Sequence, residues 1–106
     1  MKVAISSTGN TVESKVDPRF GRCPFFCIYD VDTDSYTFEA NNSMNSEHGA
    51  GPAAVQFVTG FNVGKIVSGD FGFKIKPILE NLGIQMIVIK DNKTISDIIT
   101  LLRNNK

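Results

Sequence analysis

The side chains best suited to metal or anion chemistry lie in two short segments, and the first of these holds the only histidine. His48 belongs to residues 47–52, with the sequence EHGAGP. Pro52 fits the first position of a helix, so this segment precedes a predicted helix N-terminus. Glycines let the backbone approach a ligand, helix N-termini favour anions, and imidazole binds borderline metals. The segment therefore predicts a ligand-binding loop, with a surface histidine that has no such role as the alternative.

The second segment, residues 19–23 with the sequence RFGRC, combines two guanidinium groups with a thiol. Arg19 and Arg22 suit an anionic ligand, because each guanidinium carries a permanent charge and several donors. A thiolate at Cys23, beside these charges, is expected to have a lowered pKa. A solvated charged loop with a half-buried cysteine is the alternative.

Cys23 and Cys27 are the two cysteines of the chain. If the residues between them form a strand, their Cα atoms lie roughly 13 Å apart, whereas a disulfide needs them within about 7 Å. The spacing also differs from the Cys-x-x-Cys of redox and zinc sites. We therefore expect two free thiols in a reducing compartment, with Cys27 in mid-strand as a core residue.

Residues 6–11, with the sequence SSTGNT, follow a predicted first strand and resemble the phosphate loop of flavodoxins. In such a loop, hydroxyl and backbone N–H groups converge on an anion. The flavodoxin loop opens a long helix, whereas Pro18 and Gly21 interrupt any helix at this place. A plain turn is therefore favoured over a flavin or phosphate site.

An alternation of strands and helices has to position these segments. Apolar runs predict strands at residues 2–6, 24–30, 36–40, 65–68 and 84–90. Helical spacing predicts helices at residues 52–59, at 73–82 and after Thr94, which forms a capping box with Asp97. Since crossovers demand parallel strands and a hairpin an antiparallel pair, a mixed five-stranded α/β sheet follows. The last strand, an almost continuous apolar run, is expected to be buried on both faces.

The length of the chain predicts a single domain, residues 1–106. Its 11 basic and 11 acidic residues leave no net charge. Such a balance lacks the electrostatic footprint of a protein that binds nucleic acid or a polyanionic membrane. Neither a membrane-spanning run nor a signal peptide is predicted, so we expect a cytoplasmic protein with no nucleic-acid or membrane partner. Catalysis is not indicated, because a nucleophile elbow, a P-loop and a dinucleotide fingerprint are all missing.

The segments with special residues, taken in order, resemble one known family. They are the opening MKVAISS, residues 16–26 around RFGRCP, residues 48–51 (HGAG), residues 69–72 (GDFG) and residues 82–84 (LGI). With this order and spacing the chain resembles, over essentially its whole length, the dinitrogenase iron–molybdenum cofactor biosynthesis family, which includes NifX-like and NifB C-terminal-like domains. The chain departs from the family pattern after Gly72, where Phe73 replaces the expected proline and Pro77 follows later.

The resemblance implies a ribonuclease-H-like fold, in which the second strand of a five-stranded mixed sheet is antiparallel to the rest and about three helices flank the sheet. It also implies a non-catalytic carrier that exchanges an iron–sulfur or iron–molybdenum–sulfur cluster, or a precursor, with metallocluster assembly proteins. In such a carrier, arginines neutralise the anionic cluster and glycines allow its close approach. Carried over to this sequence, the candidate residues are the metal ligands Cys23 and His48 and the cofactor-binding residues Arg19, Arg22, Gly49 and Gly51.

The number of ligands favours loose capture of the cluster. Cys23, Cys27 and His48 provide three side chains at most, whereas a cubane cluster usually takes four cysteines. A cluster that brings its own ligands, or a site shared across a homodimer, therefore fits better than closed ligation in a monomer. The alternative is a cluster-free interaction or regulatory module whose loop at residues 41–51 contacts a partner, and after it a flavodoxin-like phosphate or flavin binder.

Overall fold

One five-stranded sheet organises the protein, of which the computed structural model describes residues 1–43 and 49–105. The elements in chain order are β1 (Lys2–Ser7), β2 (Phe25–Asp30), β3 (Ser35–Ala40), α1 (Ala50–Thr59), β4 (Val63–Ser68), α2 (Lys76–Asn81), β5 (Gln85–Val88) and α3 (Ile95–Asn104). The strand order is β3-β2-β1-β4-β5. β2 is antiparallel to β1 and β3, whereas β4 is parallel to β1 and β5. The predicted mixed α/β sheet with an antiparallel second strand and three helices is confirmed.

Hydrophobic clusters lie on both faces of the sheet. One cluster includes Phe26 of β2 and Leu79 of α2, and residues of α1 belong to it as well. The cluster on the other face includes Val3 of β1, Tyr29 of β2 and Ile95 of α3. Because successive side chains of a strand point to opposite faces, β1 and β2 contribute to both clusters and consist mostly of buried residues.

Two helices begin at residues other than those predicted. α1 begins at Ala50, two residues before Pro52, with Gly49 as its N-cap. α2 begins at Lys76 rather than at residue 73, because Pro77 is tolerated in the first helical turn and not further inside a helix. Residues 69–75 consequently form a loop. Within the described ranges, no helix has the length and apolar character needed to cross a membrane.

The N-terminus of α3 confirms the predicted capping box. Thr94 Oγ1 accepts a hydrogen bond from the backbone N–H of Asp97 at 3.1 Å. The Asp97 carboxylate in turn accepts from the backbone N–H of Thr94 at 3.0 Å. The hydrogen bond from the Thr94 N–H, and after it the Thr94 side chain, hold the pKa of the Asp97 carboxyl below its usual value. The helix start is therefore fixed by local chemistry that the sequence displays directly.

The last strand contradicts the expectation of burial on both faces. β5 pairs with β4 and ends the sheet, so it is an edge strand. Gln85 and Val88 are exposed, and the two residues between them are half-buried. An apolar run predicts a strand but does not say how many neighbours that strand has, which is why the prediction was wrong.

The segments that carry candidate site residues meet at one edge of the sheet. β1, β3, β4 and β5 point in the same direction, so the loops that follow them gather at the carboxyl edge, where ligands of open α/β sheets bind. The loop after β1 crosses this edge between β1 and β4. The backbone N–H of Asp17 donates to Ser6 O at 2.9 Å, and the N–H of Gly69 donates to Asp17 O at 3.1 Å.

Candidate functional site

A cleft of about 360 Å³ opens at the carboxyl edge, between the loop after β1, the N-terminus of α1 and the loop after β4. All four residues predicted to bind the cofactor line it: Arg19, Arg22, Gly49 and Gly51. Lys74 lines the same cleft and was missed in the sequence, because residues 69–72 (GDFG) carry the family resemblance but do not single out a lysine two residues beyond them. We call this feature the basic cleft. Its size lies within the range of about 300–1,000 Å³ that is typical of small-ligand sites.

The N-terminus of α1 adds backbone donors to the basic cleft. The N-cap is Gly49, which has no side chain that could accept a hydrogen bond from the first turn. Pro52 has no N–H group, and the N–H of Ala53 already donates to Gly49 O at 2.9 Å. The N–H groups of Ala50 and Gly51 precede the hydrogen-bond ladder of the helix. Together with the helix dipole, they favour an anion in the cleft.

Arg19 is held at the basic cleft by Asp17, which is only 1% exposed. Asp17 Oδ1 accepts from the backbone N–H of Arg19 at 2.8 Å and from its Nε at 3.2 Å, and Oδ2 accepts from Nη2 at 3.3 Å. These bonds raise the pKa of the Arg19 guanidinium, which stays largely exposed. Asp17 therefore orients Arg19 and offsets part of its charge. The order Asp-Pro-Arg, in which the carboxylate can bond the backbone two residues on, was the available signal for this pair.

Cys23 is fully buried in the core next to the basic cleft and does not line it. Its thiol donates to Phe20 O at 3.3 Å, and Asn41 Nδ2 lies 3.9 Å from Sγ. Burial, followed by the charge of Asp17, raises the pKa of the Cys23 thiol to about 12. The predicted lowering of this pKa by the neighbouring arginines is therefore wrong, because the sulfur is withdrawn from solvent while the guanidinium groups lie outside. Metal ligation by Cys23 stays a prediction.

Cys27, the other candidate ligand among the described residues, does not join Cys23. Cys27 lies in the cluster on the opposite face of the sheet, as expected of a core residue, and burial raises its pKa to about 12. Both cysteines are free thiols. His48 lies outside the described residues, directly before Gly49. Among residues 1–43 and 49–105, no group of three or more His, Cys, Asp or Glu side chains could hold a metal ion.

Gly21 and Gly51 hold three segments together at the basic cleft. A Cβ on Gly21 would lie 2.9 Å from the Cα and N atoms of Gly51, and a Cβ on Gly51 would lie 2.6 Å from Ile75 Cδ1. Gly49 has a φ of +73°, a conformation that other residues rarely adopt. The backbone conformation thus favours glycine at position 49, and a side chain at position 51 would force Ile75 to shift.

Two of the hydroxyl groups in residues 6–11 donate hydrogen bonds to carbonyl oxygens of the protein itself. Ser6 Oγ donates to Asp17 O at 2.7 Å, and Ser7 Oγ donates to Gly9 O at 2.6 Å. No helix stands between β1 and β2, in a stretch that the structure describes throughout. This geometry favours the plain turn over the flavodoxin-like alternative.

Comparisons with known proteins agree with this architecture. The family profile described as dinitrogenase iron-molybdenum cofactor matches residues 1–105. The apo form of the orange protein from Desulfovibrio gigas is 27% identical, with a TM-score of 0.89 over 98% of this chain and 88% of that chain. A NifB-like protein from Thermotoga, assigned to the DUF35 family, is 26% identical, with a TM-score of 0.82 over 97% and 87%. A search of curated proteins finds no match. The chain therefore belongs to the dinitrogenase iron-molybdenum cofactor family.

Proposed function

We propose that this protein is a non-catalytic accessory protein that binds an anionic iron–sulfur or iron–molybdenum–sulfur cluster, or its precursor, in the basic cleft. The observation that carries the proposal is the convergence of Arg19, Arg22, Lys74 and the N-terminus of α1 on one cleft. Membership in the dinitrogenase iron-molybdenum cofactor family supports the same class of cargo.

The chemistry of the basic cleft suits a sulfide-rich anion. Guanidinium and ammonium groups supply charge and hydrogen bonds, and backbone N–H groups add donors with no charge of their own. The cleft lining also includes the buried side chains of Phe20, Phe71 and Ile75. An apolar floor below polar groups excludes water from one side of the cargo and strengthens the electrostatic attraction.

The same residues favour loose capture over closed ligation. Cys23 and Cys27 are both buried as protonated thiols, so the cluster has to bring most of its own sulfur ligands. We assign to His48 the role of a side-chain ligand at the entrance of α1, and to Cys23 a ligand role that requires its thiol to move out of the core. Loose binding suits a carrier, because the cargo must be released to metallocluster assembly proteins. Free thiols are typical of the cytoplasm, where we expect this exchange to occur.

Anaerobic reconstitution with iron, sulfide and molybdate tests the proposal. After desalting, bound cargo is measured by the absorption near ~400 nm that sulfur-ligated iron produces and by the metal content per chain. Lys74→Glu reverses one charge in the basic cleft, and Lys65→Glu makes the same change in a groove beside α3. We expect Lys74→Glu to lower the retained iron about 10-fold or more and Lys65→Glu to leave it unchanged. Equal retention in both variants, or none in the unaltered protein, would contradict the proposal.

Two further variants test the ligand assignments. His48→Ala is expected to weaken retention, because it removes the imidazole that we assign as a ligand and that precedes Gly49 of the cleft in the sequence. Cys23→Ser is expected to weaken retention because the thiol that would move out to the cargo is removed. Since Cys23 is buried, the circular dichroism spectrum of this variant serves as the control and has to show an unchanged fold. Unchanged retention in the double variant would rule out both side chains as ligands and leave capture by charge alone.

A further inference from the structure

A strongly exposed aromatic side chain, that of Phe73, lies in the chain between two residues that line the basic cleft. Phe73 is 80% exposed, the largest fraction among the large hydrophobic residues that the structure describes. Its neighbours Gly72 and Lys74 both line the cleft. Single exposed hydrophobic residues are common on protein surfaces. Phe73 differs from such residues in the bonding of the loop that carries it and in the charges around that loop.

The loop that carries Phe73 is anchored on both sides of it. Phe71 and Ile75 are buried in the core at 4% and 5% exposure. Asp70 Oδ1 accepts from the backbone N–H of Gly72 at 3.1 Å, and the N–H of Ile75 donates to Gly72 O at 3.2 Å. Phe73 is thus presented by a well-bonded loop, whose backbone loses little conformational entropy when the side chain binds a partner.

Positive charge surrounds this loop. Lys74 lines the basic cleft, and Lys76 and Lys90 are exposed at the start of α2 and just beyond β5. The pKa of Asp70 lies below its usual value, first because of the N–H of Gly72 and also because of the charges of Lys90 and Lys76. Both lysines therefore lie close enough to this loop for their charges to stabilise the Asp70 carboxylate. An aromatic anchor among cations fits an apolar pocket with an acidic rim.

The occupant that this surface fits is a different protein. A second copy would bring the same lysines against one another, and like charges disfavour such a contact. A carrier must also present the mouth of its cleft to the protein that gives or takes the cargo. We propose that Phe73, with Lys74, Lys76 and Lys90, docks an acidic protein partner that delivers or receives the cargo, an inference that rests on the proposed function.

Site-directed crosslinking identifies the partner and is followed by measurements on purified proteins. The photoreactive amino acid p-benzoylphenylalanine is placed at position 73 and, as a matched control, at position 101, where Leu101 is 46% exposed on α3. The protein captured at position 73 alone is purified, and its affinity is measured by titration calorimetry at low and at high salt. We expect Phe73→Ala to weaken binding about 30-fold or more and Leu101→Ala to change it less than about twofold. Lys76→Glu is expected to weaken binding and to reduce its salt dependence.

Several results would overturn the docking proposal. They are capture at position 101 as strong as at position 73, capture of a second copy of this chain alone, and equal affinity for Phe73→Ala and the unaltered protein. Cargo retention by Phe73→Ala separates this proposal from the proposed function. Normal retention with lost partner binding supports docking, whereas normal retention with no partner contradicts docking alone. Partner binding through Phe73 by a protein that retains no cluster would support docking and contradict the proposed function alone.

Discussion

The burial of the two cysteines has a kinetic consequence that can be measured directly. The thiolate, not the thiol, attacks disulfide reagents. Burial raises the pKa of Cys23 and of Cys27 from 9.0 to about 12. At a pH near 8, this shift lowers the thiolate population about 1,000-fold, since each pKa unit changes it about tenfold. Because both residues are 0% exposed, blocked access adds to this factor. Reaction in the folded protein therefore has to proceed through opening of the structure.

The assay follows the reaction of dithionitrobenzoate with the native and the denatured protein at the same pH. Cys23→Ala and Cys27→Ala each leave one thiol, so the rates of the two can be assigned. We expect each native rate to lie at least about 1,000-fold below the denatured rate. A native rate for Cys23 within about tenfold of the denatured rate would refute the reasoning. It would instead support the exposed, activated thiol that the sequence suggests.

Three further predictions concern stability, measured by urea unfolding. Thr94→Ala, which removes the capping box of α3, is expected to lower the free energy of unfolding by about 1 kcal/mol, and an unchanged value would contradict the assigned cap. Gly21→Ala should lower the free energy of unfolding by about 1–3 kcal/mol, because its Cβ would meet the backbone of α1 at 2.9 Å. Gly60→Ala is the milder control, because its Cβ would meet a carbonyl oxygen at 3.3 Å. Equal losses of stability in the two variants would exclude this explanation. Between pH 9 and about 12, unfolded thiols lose their protons while the buried ones keep them, so stability should fall by up to about 1.4 kcal/mol per pH unit for each thiol. A Cys23→Ala/Cys27→Ala variant should lack this part of the slope, and an identical slope would contradict the raised pKa values.

The architecture follows from local patterns in the sequence. Apolar runs bounded by glycine, proline and polar residues mark the strands, and the spacing around Thr94 marks the start of α3. The hairpin and the helical crossovers then fix which strands pair as antiparallel and which as parallel. All four predicted cofactor-binding residues share the basic cleft because each follows a strand whose carboxyl end lies at the same edge of the sheet.

Features that depend on distant segments were not available from local patterns. The burial of Cys23 involves Asn41, whose Nδ2 donates to Cys23 O at 2.8 Å across 18 residues of chain. The place of Lys74 in the basic cleft depends on how the loop after β4 packs against Gly51 through Ile75. β5 lies at the edge because, among the described residues, no further strand pairs with it, and an apolar run does not indicate how many neighbours a strand has.

The position of the cargo is the most direct test of the account. Amide signals of ¹⁵N-labelled protein are compared before and after anaerobic reconstitution with iron, sulfide and molybdate. We expect shifts or broadening in the signals of four residues that line the basic cleft, Gly21, Ala50, Gly51 and Gly72, and no change in the signals of α3. Changes confined to α3 or to another surface, with the cleft signals unaffected, would contradict the assignment of the basic cleft as the cargo site.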